Sequence, residues 1–81
     1  MRAVVEINFV RDEKYKGITA DGYEAAAIIK NISMIDPSKK FIPHKTLLFF
    51  DEITEFPEIA TSLKFFHEDG RFDVICSGSM L

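Results

Sequence analysis

The stretch that decides the fold is TLLFFDEITEFPE, residues 46–58. Its first part, Thr46–Phe50, has large apolar side chains at both the odd and the even positions. A strand that is apolar on both faces is typical of the interior of a parallel sheet, where neighbouring elements cover each face. The segment therefore predicts a central strand. Two carboxylates, Asp51 and Glu52, follow directly at the carboxyl end of that strand.

Two further segments have strand patterns. Residues 3–10 alternate between an apolar and a more polar set, which predicts a strand with one wetter face. A third strand is predicted for Phe72–Cys76, FDVIC, and the small polar turn SGS follows it. In the first strand the apolar set is Val5, Ile7 and Phe9, and the other set is Val4, Glu6 and Asn8.

Two helices are predicted between these strands. The first is expected to start near Asp21, since Glu24 lies three residues later, at the spacing of a capping box, and to stop before Pro37. The second is expected between Pro57 in its first turn and Gly70 at its end. Their apolar stripes are Ala25, Ile28, Ile29 and Ile32 in the first helix, and Ile59, Leu63 and Phe66 in the second.

The order strand, helix, strand, helix, strand predicts an α/β fold with a three-stranded parallel sheet. If the strands lie side by side in sequence order, two right-handed crossovers put both helices on one face of that sheet. The opposite face then carries half of the side chains of residues 47–50 and 72–76 with nothing to cover them. Such a face is an interaction site or a sign of missing chain. We therefore expect residues 1–81 to form a single, partial domain.

Bulk properties exclude several classes of protein. A chain of 81 residues can form one small domain, and its net charge of −3 argues against a surface that collects nucleic-acid phosphates. The single cysteine, Cys76, excludes an internal disulfide and a multi-cysteine zinc site. The first residues lack the pattern of a signal peptide, and no apolar run approaches the roughly 18 residues of a membrane span. We expect a cytoplasmic, soluble protein with no membrane partner.

The position of Asp51 and Glu52 suggests chemistry at the carboxyl ends of the strands, where α/β proteins gather their ligand-binding groups. One carboxylate can help to hold Mg²⁺, and its neighbour can polarise a water for attack on a phosphoryl group. The alternative is that both acids merely lie near a helix N-terminus, which favours negative charge by a few tenths of a kcal/mol.

Two segments add a family resemblance. TLLFFDEITEFPEIATSLKFF and DVICSGSML resemble the Walker B strand, its helix and the sensor strand of a bacterial and archaeal AAA-type ATPase family with a C-terminal nuclease-like domain of unknown function. The resemblance is specific for residues 47–81 and looser before them. It implies that the chain is part of a P-loop NTPase-like core.

The resemblance also implies residue roles. Asp51 matches the acidic residue that serves Mg²⁺, and Glu52 matches the one that activates the attacking water. Ser77 and Ser79 both match the polar sensor position near the γ-phosphate, and either can be the sensor; a plain turn after the strand is the alternative for both. Thr54 stands where the family more often has glutamine, at a position with no catalytic role.

The main departure from the family concerns the phosphate-binding loop. Such a core needs a Gly-rich turn of the form G-x-x-x-x-G-K-[ST], and no glycine of this chain precedes a lysine and a hydroxyl residue in that pattern. The strand and helix that carry the loop would lie upstream of Met1, beside the sensor strand. We therefore expect Mg²⁺ and ATP to be cofactors of the intact protein, and this chain alone to bind neither and to be inactive.

Two alternatives belong to other functional classes. The first is a non-catalytic interaction module that forms homo-oligomers through the uncovered sheet face and edge. The second is a phospho-acceptor signalling domain, but that class needs an acidic pair after its first strand, where this chain has Asn8, and a later lysine that is absent. The client, the ring state and any link to nucleic acid are left open.

Overall fold

Three parallel strands form one sheet in the computed structural model, which describes residues 3–78. They are β1 (Ala3–Asn8), β2 (Thr46–Asp51) and β3 (Asp73–Cys76), in the spatial order β1-β2-β3. The register pairs the last residues of β1 and β2, Asn8 and Asp51, with each other. The predicted α/β fold and the central position of the apolar strand are both confirmed.

Two α-helices connect the strands, α1 (Ala25–Ile35) and α2 (Ser62–Asp69). The apolar stripe predicted for the first helix is confirmed, because its members are buried or half-buried against the sheet. Short 3-10 helices lie beside the two α-helices: Glu13–Gly17, Ile53–Glu55 and Pro57–Thr61. No helix within residues 3–78 is long and apolar enough to cross a membrane.

The core lies between the two α-helices and one face of the sheet. Strand residues that are register partners, Ile7 with Phe50 and Val5 with Leu48, are all buried on this face. The two helices contact each other as well as the same core cluster. This arrangement confirms that both helices cover a single face of the sheet. Helix and 3-10 residues that complete the core include Ala25, Ile28, Ile32, Ile59 and Phe66.

The opposite face of the sheet, called the open face below, is built from Val4, Glu6, Leu47, Phe49, Asp73 and Ile75. Two of its apolar side chains are well exposed, Val4 at 60% and Ile75 at 48%. Leu47 and Phe49 on the central strand are half-buried. The described residues therefore leave an exposed apolar surface where the sequence predicts an uncovered face.

The predicted start of the first helix is wrong. α1 begins at Ala25 with Glu24 as its N-cap, and no cap hydrogen bond from a side chain is found there among the described residues. Gly22 adopts φ +111°, which is incompatible with a helix running from Asp21. Asp21 and Glu24, which have the spacing of a capping box, therefore lie in the connection before α1.

Four other boundaries also differ from the prediction, and the first is the end of β2, which includes Asp51. β1 ends at Asn8, two residues early, because the Asn8 carbonyl and side chain accept hydrogen bonds from the following turn. β3 begins at Asp73 and not at Phe72. Pro57 starts a 3-10 helix, and α2 follows at Ser62 and ends, as predicted, at Gly70 in the left-handed conformation.

Candidate functional site

Asp51 is the last residue of the central strand and is half-buried. Its carboxylate accepts two hydrogen bonds, one on each oxygen. The backbone N–H of Glu52 donates to Oδ1 at 2.9 Å, and the side-chain Nδ2 of Asn8 donates to Oδ2 at 3.2 Å. Because a carboxylate oxygen can accept two hydrogen bonds, each oxygen keeps capacity for a further ligand.

Glu52 has a left-handed backbone conformation, with φ 59° and ψ 48°. This region costs a residue other than glycine roughly 1–2 kcal/mol, and such strain is concentrated at functional sites. Contacts on its carboxyl side hold the conformation. The N–H of Glu55 donates to the Glu52 carbonyl at 3.1 Å, and the N–H of Ile53 donates to the Ser77 carbonyl at 3.0 Å.

Ser77 directly follows β3, and the structure brings its backbone beside the turn that carries the carboxylates. Its N–H donates to the Phe50 carbonyl at 2.9 Å while its carbonyl accepts from Ile53. The next residue, Gly78, packs closely on this turn, since a Cβ there would lie 3.3 Å from Cγ2 of Thr54. Ser79, the other candidate sensor, lies outside the described residues.

Asn8 is the site residue that sequence reasoning missed. It ends β1, directly opposite Asp51 in the register, and it contacts that carboxylate through its side chain. The only signal in the sequence that could have identified Asn8 is its position. It is a polar residue at the carboxyl end of the strand next to the central one. Without the register, that position does not show which side chain Asn8 would meet.

The donor set at Asp51 fits Mg²⁺ only as part of a larger site. Within residues 3–78, no three His, Cys, Asp or Glu side chains come together to hold a metal ion. Mg²⁺ commonly uses one or two carboxylates, several waters and the phosphates of a substrate, so a single protein carboxylate with free lone pairs suits it. The residues present therefore fit a magnesium ion that arrives with a nucleotide, and they do not fit an independent metal centre.

Cys76 is not a candidate nucleophile. It is half-buried, is the register partner of Phe50 and packs against the core. Burial raises the pKa of its thiol, which disfavours the reactive thiolate.

A comparison with known protein families finds a match. The model of the AAA domain family matches residues 2–81, which is nearly the whole chain. No curated protein and no solved structure matches the chain.

Proposed function

This chain belongs to the AAA domain family, and we propose that it supplies the hydrolytic side of an AAA-type ATPase core. In this proposal Asp51 serves Mg²⁺, Glu52 activates the attacking water, and Ser77 or Ser79 senses the γ-phosphate. The nucleotide is ATP. An ATPase of this kind would work in the cytoplasm, and the nuclease-like domain of the related family would follow Leu81.

The observation that carries the proposal is the convergence of two turns at one end of the sheet. The Asp51–Glu52 turn and the Ser77–Gly78 turn follow neighbouring parallel strands and are joined by the hydrogen bond from Ile53 to Ser77. Parallel α/β sheets place their ligand sites at this end. In this arrangement Glu52 would take a proton from water, and bound Mg²⁺ would offset charge on the phosphates.

The phosphate-binding loop has to come from a segment outside these 81 residues, and we propose the outer edge of β3 as its docking place. Among the described residues β3 pairs only with β2, so its other edge has backbone groups available for a further strand. A groove of about 710 Å³ lies beside this edge. Its lining includes Leu47, Leu63, Phe66, Val74 and Ile75, which suits a strand with alternating apolar residues.

The proposal is tested with the polypeptide as the source cell makes it, whose intact mass is measured first. A mass well above 9.2 kDa would mean that the natural polypeptide contains further residues, among which the missing phosphate-binding loop can lie. MgATP hydrolysis is then measured for the wild type, Glu52→Gln, Asp51→Asn and the control Glu55→Gln, which changes an exposed acid three residues away. Since a general base contributes about 10²–10⁴-fold, we expect Glu52→Gln to lose at least about 100-fold in rate and to retain ATP binding.

The 81-residue chain alone is expected to show no hydrolysis. An ATPase rate from this chain that disappears in both Asp51→Asn and Glu52→Gln would contradict the proposed need for a separate phosphate loop. Equal rates for Glu52→Gln and Glu55→Gln in the natural polypeptide would contradict the catalytic role of Glu52.

The second candidate function is a self-associating interaction module derived from an ATPase. The exposure of Val4 and Ile75 on the open face favours it, because two such surfaces can bury each other. A natural polypeptide of about 9.2 kDa that forms stable oligomers and does not bind MgATP would support this function over the first.

A further inference from the structure

We infer that Asn8 is a positioning residue that fixes the orientation of the Asp51 carboxylate and joins it to the turn after β1. The inference rests on the proposed function in one respect, namely that Asp51 is the group that meets the metal ion. The contacts themselves are independent of that function. Asn8 is half-buried and uses both ends of its side-chain amide.

The two ends of the amide have different partners. Oδ1 accepts the backbone N–H groups of Val10 and Arg11, each at 2.9 Å, and Nδ2 donates to Oδ2 of Asp51 at 3.2 Å. Backbone N–H groups can only donate, so the atom that faces them has to be the amide oxygen. The amide nitrogen is then left facing the carboxylate. The orientation of the Asn8 side chain therefore follows from its chemistry.

Few other side chains can make this set of contacts. An aspartate at position 8 would keep the two acceptor contacts but would set a second carboxylate against Asp51. An alanine would leave two backbone N–H groups and one carboxylate oxygen without these partners. Asparagine accepts twice and donates once at the same position, which matches the surroundings of Asn8.

The main chain reinforces the same connection. The N–H of Phe9 donates to the carbonyl of Asp51 at 3.2 Å, and the Phe9 side chain is fully buried. Asp51 is thus held to the end of β1 by both main-chain and side-chain hydrogen bonds. Residues that orient a metal-binding carboxylate in this way typically change metal affinity by 10-fold or more when they are removed.

The test uses Mn²⁺ alone as the probe, on the 81-residue chain, followed by paramagnetic broadening of backbone amide signals. Because residues 3–78 alone do not form an independent metal centre, only weak binding is expected for the wild type, with broadening centred on the amides next to Asp51. Asn8→Ala should weaken the fitted affinity by about 10-fold. The matched control is Asn31→Ala, which removes a half-buried amide that donates to the Ile18 carbonyl, away from Asp51. It should leave the affinity unchanged.

A second variant tests whether position 8 lies beside the carboxylate that meets the metal ion. Asn8→Asp keeps the acceptor for Val10 and Arg11 and adds a carboxylate beside Asp51, so it should bind Mn²⁺ more tightly than the wild type. No gain in Asn8→Asp would mean that position 8 does not lie beside the carboxylate that meets the metal ion, which would contradict the inference. Melting temperatures of all variants show whether each one is folded.

If residues 1–81 do not bind Mn²⁺ without the nucleotide and the phosphate loop, a measurement without metal decides the inference. Three-bond couplings report the χ1 angle of Asp51. They should indicate one rotamer in the wild type and in Asn31→Ala, and averaging in Asn8→Ala. An Asn8→Ala variant with a single Asp51 rotamer and wild-type behaviour toward Mn²⁺ would overturn the inference.

Discussion

The backbone N–H of Ile53 donates a hydrogen bond to the carbonyl oxygen of Ser77 at 3.0 Å. This bond lies beyond the last paired residues of β2 and β3, Phe50 and Cys76, so it continues the contact between the two chain segments into the turns. The residue immediately before Ile53 is the strained Glu52. A backbone hydrogen bond therefore links the segment of Ser77, the sensor candidate, to the turn that carries Glu52, the water-activating candidate.

The left-handed conformation of Glu52 predicts an unusual response to glycine. Glu52→Gly removes strain of roughly 1–2 kcal/mol, which offsets the greater entropy of the unfolded chain. We expect a free energy of unfolding, measured in urea, that equals or exceeds that of the wild type. The control Glu55→Gly, in a 3-10 helix without positive φ, should lose roughly 0.5–1 kcal/mol. Equal losses in the two variants would show that Glu52 is not strained.

Replacing glycine by alanine should change the free energy of unfolding differently at Gly70, the C-cap of α2, and at Gly17. Gly70 has φ 75° at the C-cap, so Gly70→Ala should lower the free energy of unfolding by roughly 1 kcal/mol. Gly17 lacks a positive φ, and an added Cβ would meet no atom within 4 Å. Gly17→Ala should therefore be neutral or stabilise by up to about 1 kcal/mol. Chemical denaturation of both variants checks the prediction, and a loss in Gly17→Ala equal to that in Gly70→Ala would contradict it.

The open face predicts self-association of the 81-residue chain. Ile75 is 48% exposed on the β3 side of the open face, and Ile75→Lys should lower the average mass that light scattering reports at high micromolar concentration. The control is Val10→Lys, which changes an apolar side chain of similar exposure, 53%, that lies outside the sheet. A wild-type chain that stays monomeric at these concentrations would refute the prediction.

The hydrogen bonds of Asp36 predict that the stability of the fold depends on pH. The hydroxyl and the backbone N–H of Ser38 donate to its carboxylate, and these hydrogen bonds lower the pKa of Asp36. A carboxylate with a depressed pKa in the folded state stabilises the fold at pH values above its ordinary pKa of about 3.9. That contribution is lost as the pH falls through the depressed value.

We expect Ser38→Ala to raise the pKa of Asp36, followed by the carboxyl ¹³C signal, and to reduce the part of the acid-induced loss of stability that Asp36 causes. Ser33→Ala changes a half-buried hydroxyl within α1 and serves as the matched control. An unchanged titration of Asp36 in Ser38→Ala would mean that the hydrogen bonds from Ser38 do not form in solution.

Periodicity predicted the elements of this fold well, because burial on one side leaves a direct trace in the residue pattern. The alternation in β1 and the stripe in α1 both correspond to buried side chains in the structure. The exact ends of elements were less predictable. The spacing of Asp21 and Glu24 suggested a helix start, but the positive φ of Gly22 decided against it, and nothing in the local pattern distinguishes the two cases.

The candidate site was predictable in part. Asp51 and Glu52 could be located because a doubly apolar strand runs straight into them, and carboxyl ends of parallel strands are where ligand sites form. The sequence could not show the strain at Glu52, which depends on backbone contacts with residue 77. The contact between Asn8 and Asp51 was equally hidden, since 43 residues separate the two along the chain.

The sequence by itself determined the α/β class, the central place of Thr46–Phe50, the single covered face and the position of both carboxylates, because hydrophobic burial depends on residue type and spacing. Only the tertiary structure decided what the Asp51 carboxylate meets and what surrounds the backbone of Glu52. Strand register sets Asn8 against Asp51 and brings Ser77 to Ile53. Hydrogen bonds need a donor–acceptor distance of about 3 Å and a nearly straight donor–hydrogen–acceptor angle. Contacts of this kind therefore exist only after the strands are aligned.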